Sequence, residues 1–384
     1  MHKTNHILSI RINKNLSIIN NIDVFYLKSA IVFSFLLLFF NKTVNSQSSL
    51  SEINFGIKSH YGVIWAHSPK NKILVQGHFP VFEASIFGKT SGVKLWHQLY
   101  NKPQIGFSVI YTDLALKNMM GFCTGIYPWV NFNLKDNSKK YKLFFKVGAG
   151  IGYINKVFDL ENNFKNTSIS AKINALINFQ IENQIQITPK ISGNLSLSLF
   201  HYSNGSSRKP NLGVNIPTIN IGLGYRIAKR EISNIPALPE FNKNKHIVTT
   251  LSGGWKQPFF PRSATYPVIN SSTTFEKQFR RKNAYSIGFD MIYDKSYVED
   301  QQNTPTGHHR LFNTGITIGH ILVVEKLNIL TQWGVYTSSK ALAKKSYHRI
   351  GLRYYLNKNV LICFALNTHF GSADHMEWGI GYKF

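Results

Sequence analysis

From Ser51 to the end of the chain, apolar residues alternate with polar or small ones in segments of about ten residues, a period that sends the two kinds to opposite faces of a β-strand. Ile53, Phe55 and Ile57 flank Asn54 and Gly56, and Ile105, Phe107, Val109 and Tyr111 alternate with Gly106 and Ser108. Leu143, Phe145, Val147, Ala149, Ile151 and Tyr153 oppose Lys142, Lys146, Gly148, Gly150 and Gly152. Further on, Ile350, Leu352, Tyr354 and Leu356 oppose Arg349, Gly351 and Arg353. The last segment sets Met376, Trp378, Ile380, Tyr382 and Phe384 against His375, Glu377, Gly379, Gly381 and Lys383, and so ends on an aromatic residue. Counting such segments predicts about 14 to 16 strands. The pattern predicts an all-β fold, a transmembrane antiparallel β-barrel with its apolar face toward lipid and its polar face toward the interior. The alternation breaks at 233–245, where Pro236 and Pro239 precede an Asn/Lys-rich run. That break, a linker or long loop, separates an N-terminal barrel half (47–232) from a C-terminal half (246–384). One large barrel is the simpler arrangement; an eight-stranded barrel followed by a second β-domain is the alternative.

The one long apolar run, Ala30 to Phe40, is shorter than the roughly 20 residues that a spanning helix needs. Lys28 precedes it and Val44-Asn45-Ser46 follows, so residues 1–46 are expected to be a signal peptide cleaved after Ser46. Hydrophobic residues make up 43% of the chain at a mean hydropathy of -0.14, which excludes a bundle of membrane helices. The formal charge is +26, and the first 46 residues hold five Lys/Arg and one acid, which leaves +22 on the mature chain. A basic field attracts polyanions; for an exported chain the expected one is a phosphorylated membrane surface, not nucleic acid. Cys123 and Cys363 are too few for a disulfide framework or a thiolate metal site, though one bridge stays open. No HExxH, CxxC, P-loop or dinucleotide fingerprint occurs in the right context, so no metal or other cofactor is expected.

The most informative stretch is the hairpin 195–227. Leu195, Leu197 and Leu199 share a strand face with His201 and Ser203; on the return strand Pro217, Ile219, Ile221, Leu223 and Tyr225 share a face with Asn215. Shared parity puts His201, Ser203 and Asn215 on the lipid side, near the membrane rim, where an ester in the leaflet can reach them. A serine hydroxyl becomes a nucleophile when a base takes its proton, and the base needs a third group to fix its tautomer. Ser203, His201 and Asn215 supply these roles. Asn204, Gly205 and Ser206 follow the nucleophile, where turn amides can stabilise an oxyanion. Arg208 and Lys209, in the same loop, are candidates to pair with lipid phosphates. Ser, Asn and Gly also populate ordinary polar turns, which leaves an ordinary rim loop as the plain reading of these residues alone.

His201-Tyr202-Ser203-Asn204-Gly205, followed by Pro210-Asn211-Leu212-Gly213-Val214-Asn215, resembles the catalytic hairpin of the lipid A 3-O-deacylase (PagL) family. The resemblance implies a barrel esterase with Ser203 as nucleophile, His201 as base and the Asn204 region as oxyanion site. Asn215 departs from the pattern, because the best-known members orient the histidine with a glutamate. The His-x-Ser-Asn-Gly run is also similar to outer-membrane phospholipase A, whose third member is an asparagine elsewhere in its chain; that family's Ser-Arg-Ser-Trp-Asn run is absent here. The expected function is outer-membrane removal of an ester-linked acyl chain from lipid A, with phospholipid as the alternative substrate. A non-catalytic pore or structural barrel is the rival class. Lys94, Trp96, His97 and Tyr100 form a basic-aromatic cluster suited to lipid headgroups or an interfacial girdle, and Arg280 to Lys282 reads as a charged turn.

Overall fold

A computed structural model describes residues 49–136, 140–258, 264–298, 311–338 and 345–384. The expected signal peptide lies outside them. The sixteen strands are β1 (Leu50–Val63), β2 (His78–Thr90), β3 (Gln104–Asp113), β4 (Phe122–Asp136), β5 (Tyr141–Ile154), β6 (Ile173–Gln186), β7 (Ile191–Ser203), β8 (Val214–Lys229), β9 (Lys245–Lys256), β10 (Tyr266–Arg280), β11 (Asn283–Asp294), β12 (Phe312–Val324), β13 (Leu327–Ser338), β14 (Ser346–Tyr355), β15 (Val360–His369) and β16 (Ser372–Lys383). A short helix, α1 (Leu95–Leu99), joins β2 to β3. The sheet closes twice. β1 pairs with β8 to complete one antiparallel barrel, and β16 pairs with β9 to complete another. Between them 230–244 carries no strand, so the break in alternation is where one barrel ends and the next begins. A single sixteen-stranded barrel would need β8 and β9 to pair; instead each closes on its own partner.

Polarity is inverted relative to a water-soluble domain. Leu197, Ile221 and Ile380 stand outward at 63%, 65% and 65% exposure, while Asn178, Gln180, Ser196 and Asn220 are buried inside. An apolar outer wall is stable only against lipid, and a closed sheet leaves no edge to satisfy there. An eight-stranded barrel is just wide enough for side chains to fill it. Ionic pairs do so here. In the first barrel Lys58 on β1 reaches across to Glu182 on β6, and Glu83 on β2 accepts hydrogen bonds from Ser108 Oγ (2.6 Å) and Lys146 Nζ (3.5 Å). In the second, Arg353 on β14 reaches Glu276 on β10, and Arg349 pairs with Asp290 (2.8 Å) and Glu377 (3.1 Å).

One end of the first barrel departs from the polar interior that the alternation predicts. Phe79, Val81, Ile110, Leu176, Phe200, Tyr202, Val214 and Ile216 fill it with an apolar core, together with Leu74, Leu114 and Met120 from the connections above. Phe200 and Tyr202 alternate with Leu199, His201 and Ser203, so they fall on the inward face and are wholly buried. This plug backs the ends of β7 and β8 from inside the barrel. Cys123 sits in it, and both cysteines are free thiols.

Candidate active site

β7 ends at Ser203 and β8 begins at Val214, so the loop 204–213 stands on the plugged end of the first barrel. Strand register sets His201 opposite Asn215. With Phe200, Tyr202, Val214 and Ile216 turned inward, both side chains and that of Ser203 are outward by alternation.

His201 Nδ1 lies 2.6 Å from Asn215 Oδ1, and Asn215 Nδ2 lies 2.9 Å from Nδ1 of His67 in the β1–β2 connection. An amide oxygen only accepts, so the His201 Nδ1 carries the proton and donates it. The same chain makes Asn215 Nδ2 the donor to His67. His201 Nε2 is left with the lone pair a general base needs. Gly213 makes room for this ring: it adopts φ +80°, and a Cβ there would lie 2.9 Å from His201 Cε1. The Asn215 carbonyl is tied down as well, accepting from the Trp65 N–H at 2.8 Å.

Ser203 Oγ accepts from Asn211 Nδ2 at 2.9 Å and from the Gly205 N–H at 3.2 Å. Asn211 in turn accepts from the Asn204 N–H at 3.2 Å, so one amide side chain holds the start of the turn after the serine. No hydrogen bond joins His201 to Ser203 among the described residues; in such sites that contact often tightens only with substrate present. Of the three oxyanion candidates, Asn204 has its side chain buried and donating to Ser170 Oγ (3.2 Å) and the Arg208 carbonyl (2.9 Å). Gly205 and Ser206 both adopt left-handed backbone, φ 61° and 64°, which turns the chain sharply beside Ser203. Arg208 is exposed, whereas Lys209 Nζ donates to the Pro258 carbonyl at 2.5 Å.

The hairpin thus carries the triad, oxyanion and phosphate candidates named from sequence, with His201 and Asn215 in direct contact. Sequence reasoning missed His67 and Asn211. Asn211 lay inside the recognised run but had no assigned role. His67 is 148 residues from Asn215 and becomes its neighbour only because β1 closes the barrel on β8. The basic-aromatic cluster lies in α1 and beside it, at the other end of the barrel, where Tyr100 Oη donates to the Val323 carbonyl (3.1 Å) and Lys282 Nζ to the Leu99 carbonyl (3.4 Å).

Residues 81–225 match the family lipid A 3-O-deacylase (PagL), and residues 245–384 match the acyloxyacyl hydrolase C-terminal domain. The chain belongs to the PagL family. The two matches divide where the two barrels do. PagL proteins are hydrolases that deacylate lipid A, and membership together with the barrel fold indicates the outer membrane. No curated protein matches the sequence. Solved structures similar to the chain include the outer membrane protein Omp33 of Acinetobacter baumannii, at 8% identity over 88% of this chain and 99% of that one, with a TM-score of 0.17. The toluene transporter TbuX of Ralstonia pickettii is similar at 9% identity over 87% and 89% of the two chains, with a TM-score of 0.18. Superposition this poor carries no argument beyond what the barrels themselves show.

Proposed function

We propose that this protein is a serine esterase of the outer membrane that removes an ester-linked acyl chain from lipid A. Ser203 Oγ attacks the ester carbonyl while His201 Nε2 takes its proton, and the sugar alkoxide leaves with that proton. Water, activated by the same nitrogen, then frees the fatty acid from the acyl-enzyme. Asn215 holds the imidazole in the tautomer this requires, and His67 holds Asn215. The Gly205 N–H, already directed at Ser203 Oγ, is the backbone amide placed to serve the oxyanion.

The observation that carries this reading is the 2.6 Å contact between His201 and Asn215 on the lipid-facing wall, two residues along the strand from Ser203. A polar turn needs no such relay on its outer side. Location supports it too. The connections at this end, 64–77, 114–121, 155–172 and 204–213, include the longest of the first barrel, and long loops face the exterior in bacterial barrels. The site would then meet the outer leaflet, and exposed Arg208 would sit at the level of lipid phosphates. A pore is disfavoured because ionic pairs span both lumens.

Mass spectrometry of lipids from cells with and without the protein tests this. Lipid A lighter by one ester-linked acyl chain is expected. Lysophospholipid with intact lipid A would make it a phospholipase, and no change in either lipid would overturn the esterase reading.

A further inference from the structure

The second barrel shares no strand pairing with the first, which closes without it and fills its own mouth with an apolar plug. Within the first barrel Ser170 Oγ and Asn204 Nδ2 donate to the Arg208 carbonyl, yet the turn that follows the nucleophile is held by the second barrel as well. The Gln257 N–H, just past the end of β9, donates to the Ser206 carbonyl at 3.1 Å, and Gln257 Oε1 accepts from the Lys209 N–H at 2.7 Å. Ser206 Oγ donates to the Ala373 carbonyl on β16 at 2.7 Å. Met376, also on β16, packs against Gly205 so closely that a Cβ on the glycine would lie 2.4 Å from Met376 Cγ.

These contacts fall on the residues with most to gain from them. Gly205 and Ser206 are consecutive left-handed residues, a conformation that L side chains rarely adopt and that persists when the surroundings fix it. An oxyanion donor is effective only when held in place before charge develops. Asn211 holds the start of the turn and Ser170 with Asn204 holds its Arg208 carbonyl, but the Gly205–Ser206 bend between them packs on the second barrel.

We propose that the second barrel is a positioning element for the active site, with Gln257 and Met376 as the residues through which it holds the Gly205–Lys209 turn against Ser203. This rests on the reading of Ser203 as nucleophile. Neither residue handles a proton or touches the reacting atoms. Their effect therefore falls on turnover through the oxyanion turn and not on ground-state binding.

The test uses the full-length protein in lipid vesicles containing lipid A, with Gln257→Ala, Met376→Ala, their combination, and Gln257→Glu, which keeps an acceptor for the Lys209 N–H. Two readouts run together: kcat and KM for fatty-acid release, and hydrogen–deuterium exchange of the amides of 204–209. The double variant is expected to lose roughly 10- to 100-fold in kcat with KM little changed, since small misplacements of a catalytic turn cost this much. Exchange in the turn should speed up in parallel, and Gln257→Glu should recover both. Unchanged kcat in the double variant would overturn the proposal, whatever the exchange shows. So would a fall in kcat with no change in exchange, or one that appears only as a higher KM. Ser203→Ala in the same assay separates the two levels: wild-type turnover there would remove the esterase reading itself, while the exchange data would still report whether the second barrel restrains the turn.

Discussion

His201 and Asn215 face each other across β7 and β8 with Nδ1 and Oδ1 2.6 Å apart, and this contact leaves the histidine's other nitrogen free to act as a base. An asparagine here orients the ring without adding charge, unlike a carboxylate, which would also stabilise the imidazolium formed during attack. His201→Ala should therefore cost roughly 10²- to 10⁴-fold in kcat, the usual worth of a general base. Asn215→Ala should cost less, and Asn215→Asp should keep most of the activity because it still accepts from Nδ1. Steady-state fatty-acid release from lipid A by the three variants checks the order. Equal losses for Asn215→Ala and Asn215→Asp would show that accepting this hydrogen bond is not what Asn215 does.

Gly213 touches no substrate in this account, but its missing side chain is the space that His201 occupies. Gly213→Ala would place a Cβ 2.9 Å from His201 Cε1 on a backbone at φ +80°, where alanine is strained. Activity should drop about tenfold or more through displacement of the ring. The barrel should still fold, as read by heat-modifiable migration on gels. A fully active Gly213→Ala protein would show that the ring position seen here is not the working one.

The ionic pair Lys58–Glu182 crosses the first lumen with both side chains buried. Lys58→Met leaves a carboxylate buried without its cation and should destabilise the barrel by about 3 to 5 kcal/mol. Lys58→Met with Glu182→Gln removes both charges and should recover most of the loss. Urea unfolding in phospholipid vesicles, followed by tryptophan fluorescence, measures both. A double variant no more stable than the single would mean that the pair is not what links β1 to β6.

Much of this was legible in the sequence because one rule, alternation against lipid, fixes many residues at once. The parity that put Leu195, Leu197 and Leu199 outward also put His201, Ser203 and Asn215 on the same wall. The break at 233–245 was visible, but alternation is the same for one large barrel as for two small ones; only which strands pair decides that, and β1 with β8 is a long-range choice. Alternation puts Phe200 and Tyr202 on the inward face, where they lie, but it does not report what fills the barrel behind that face, so the apolar plug is not legible from it. His67 and Gln257 were out of reach for a related reason. Each meets the hairpin through closure or through a second barrel, and neither carries a local motif.

Ser203 as the nucleophile is tested most directly by fatty-acid release from lipid A by purified wild-type and Ser203→Ala protein in the same vesicles. Ser203 faces lipid and holds no core together, so the variant should fold like wild type. Its release rate should fall to the level of vesicles without protein, and no acyl-enzyme should be trapped at low pH. A Ser203→Ala protein that releases fatty acid at the wild-type rate would contradict the account.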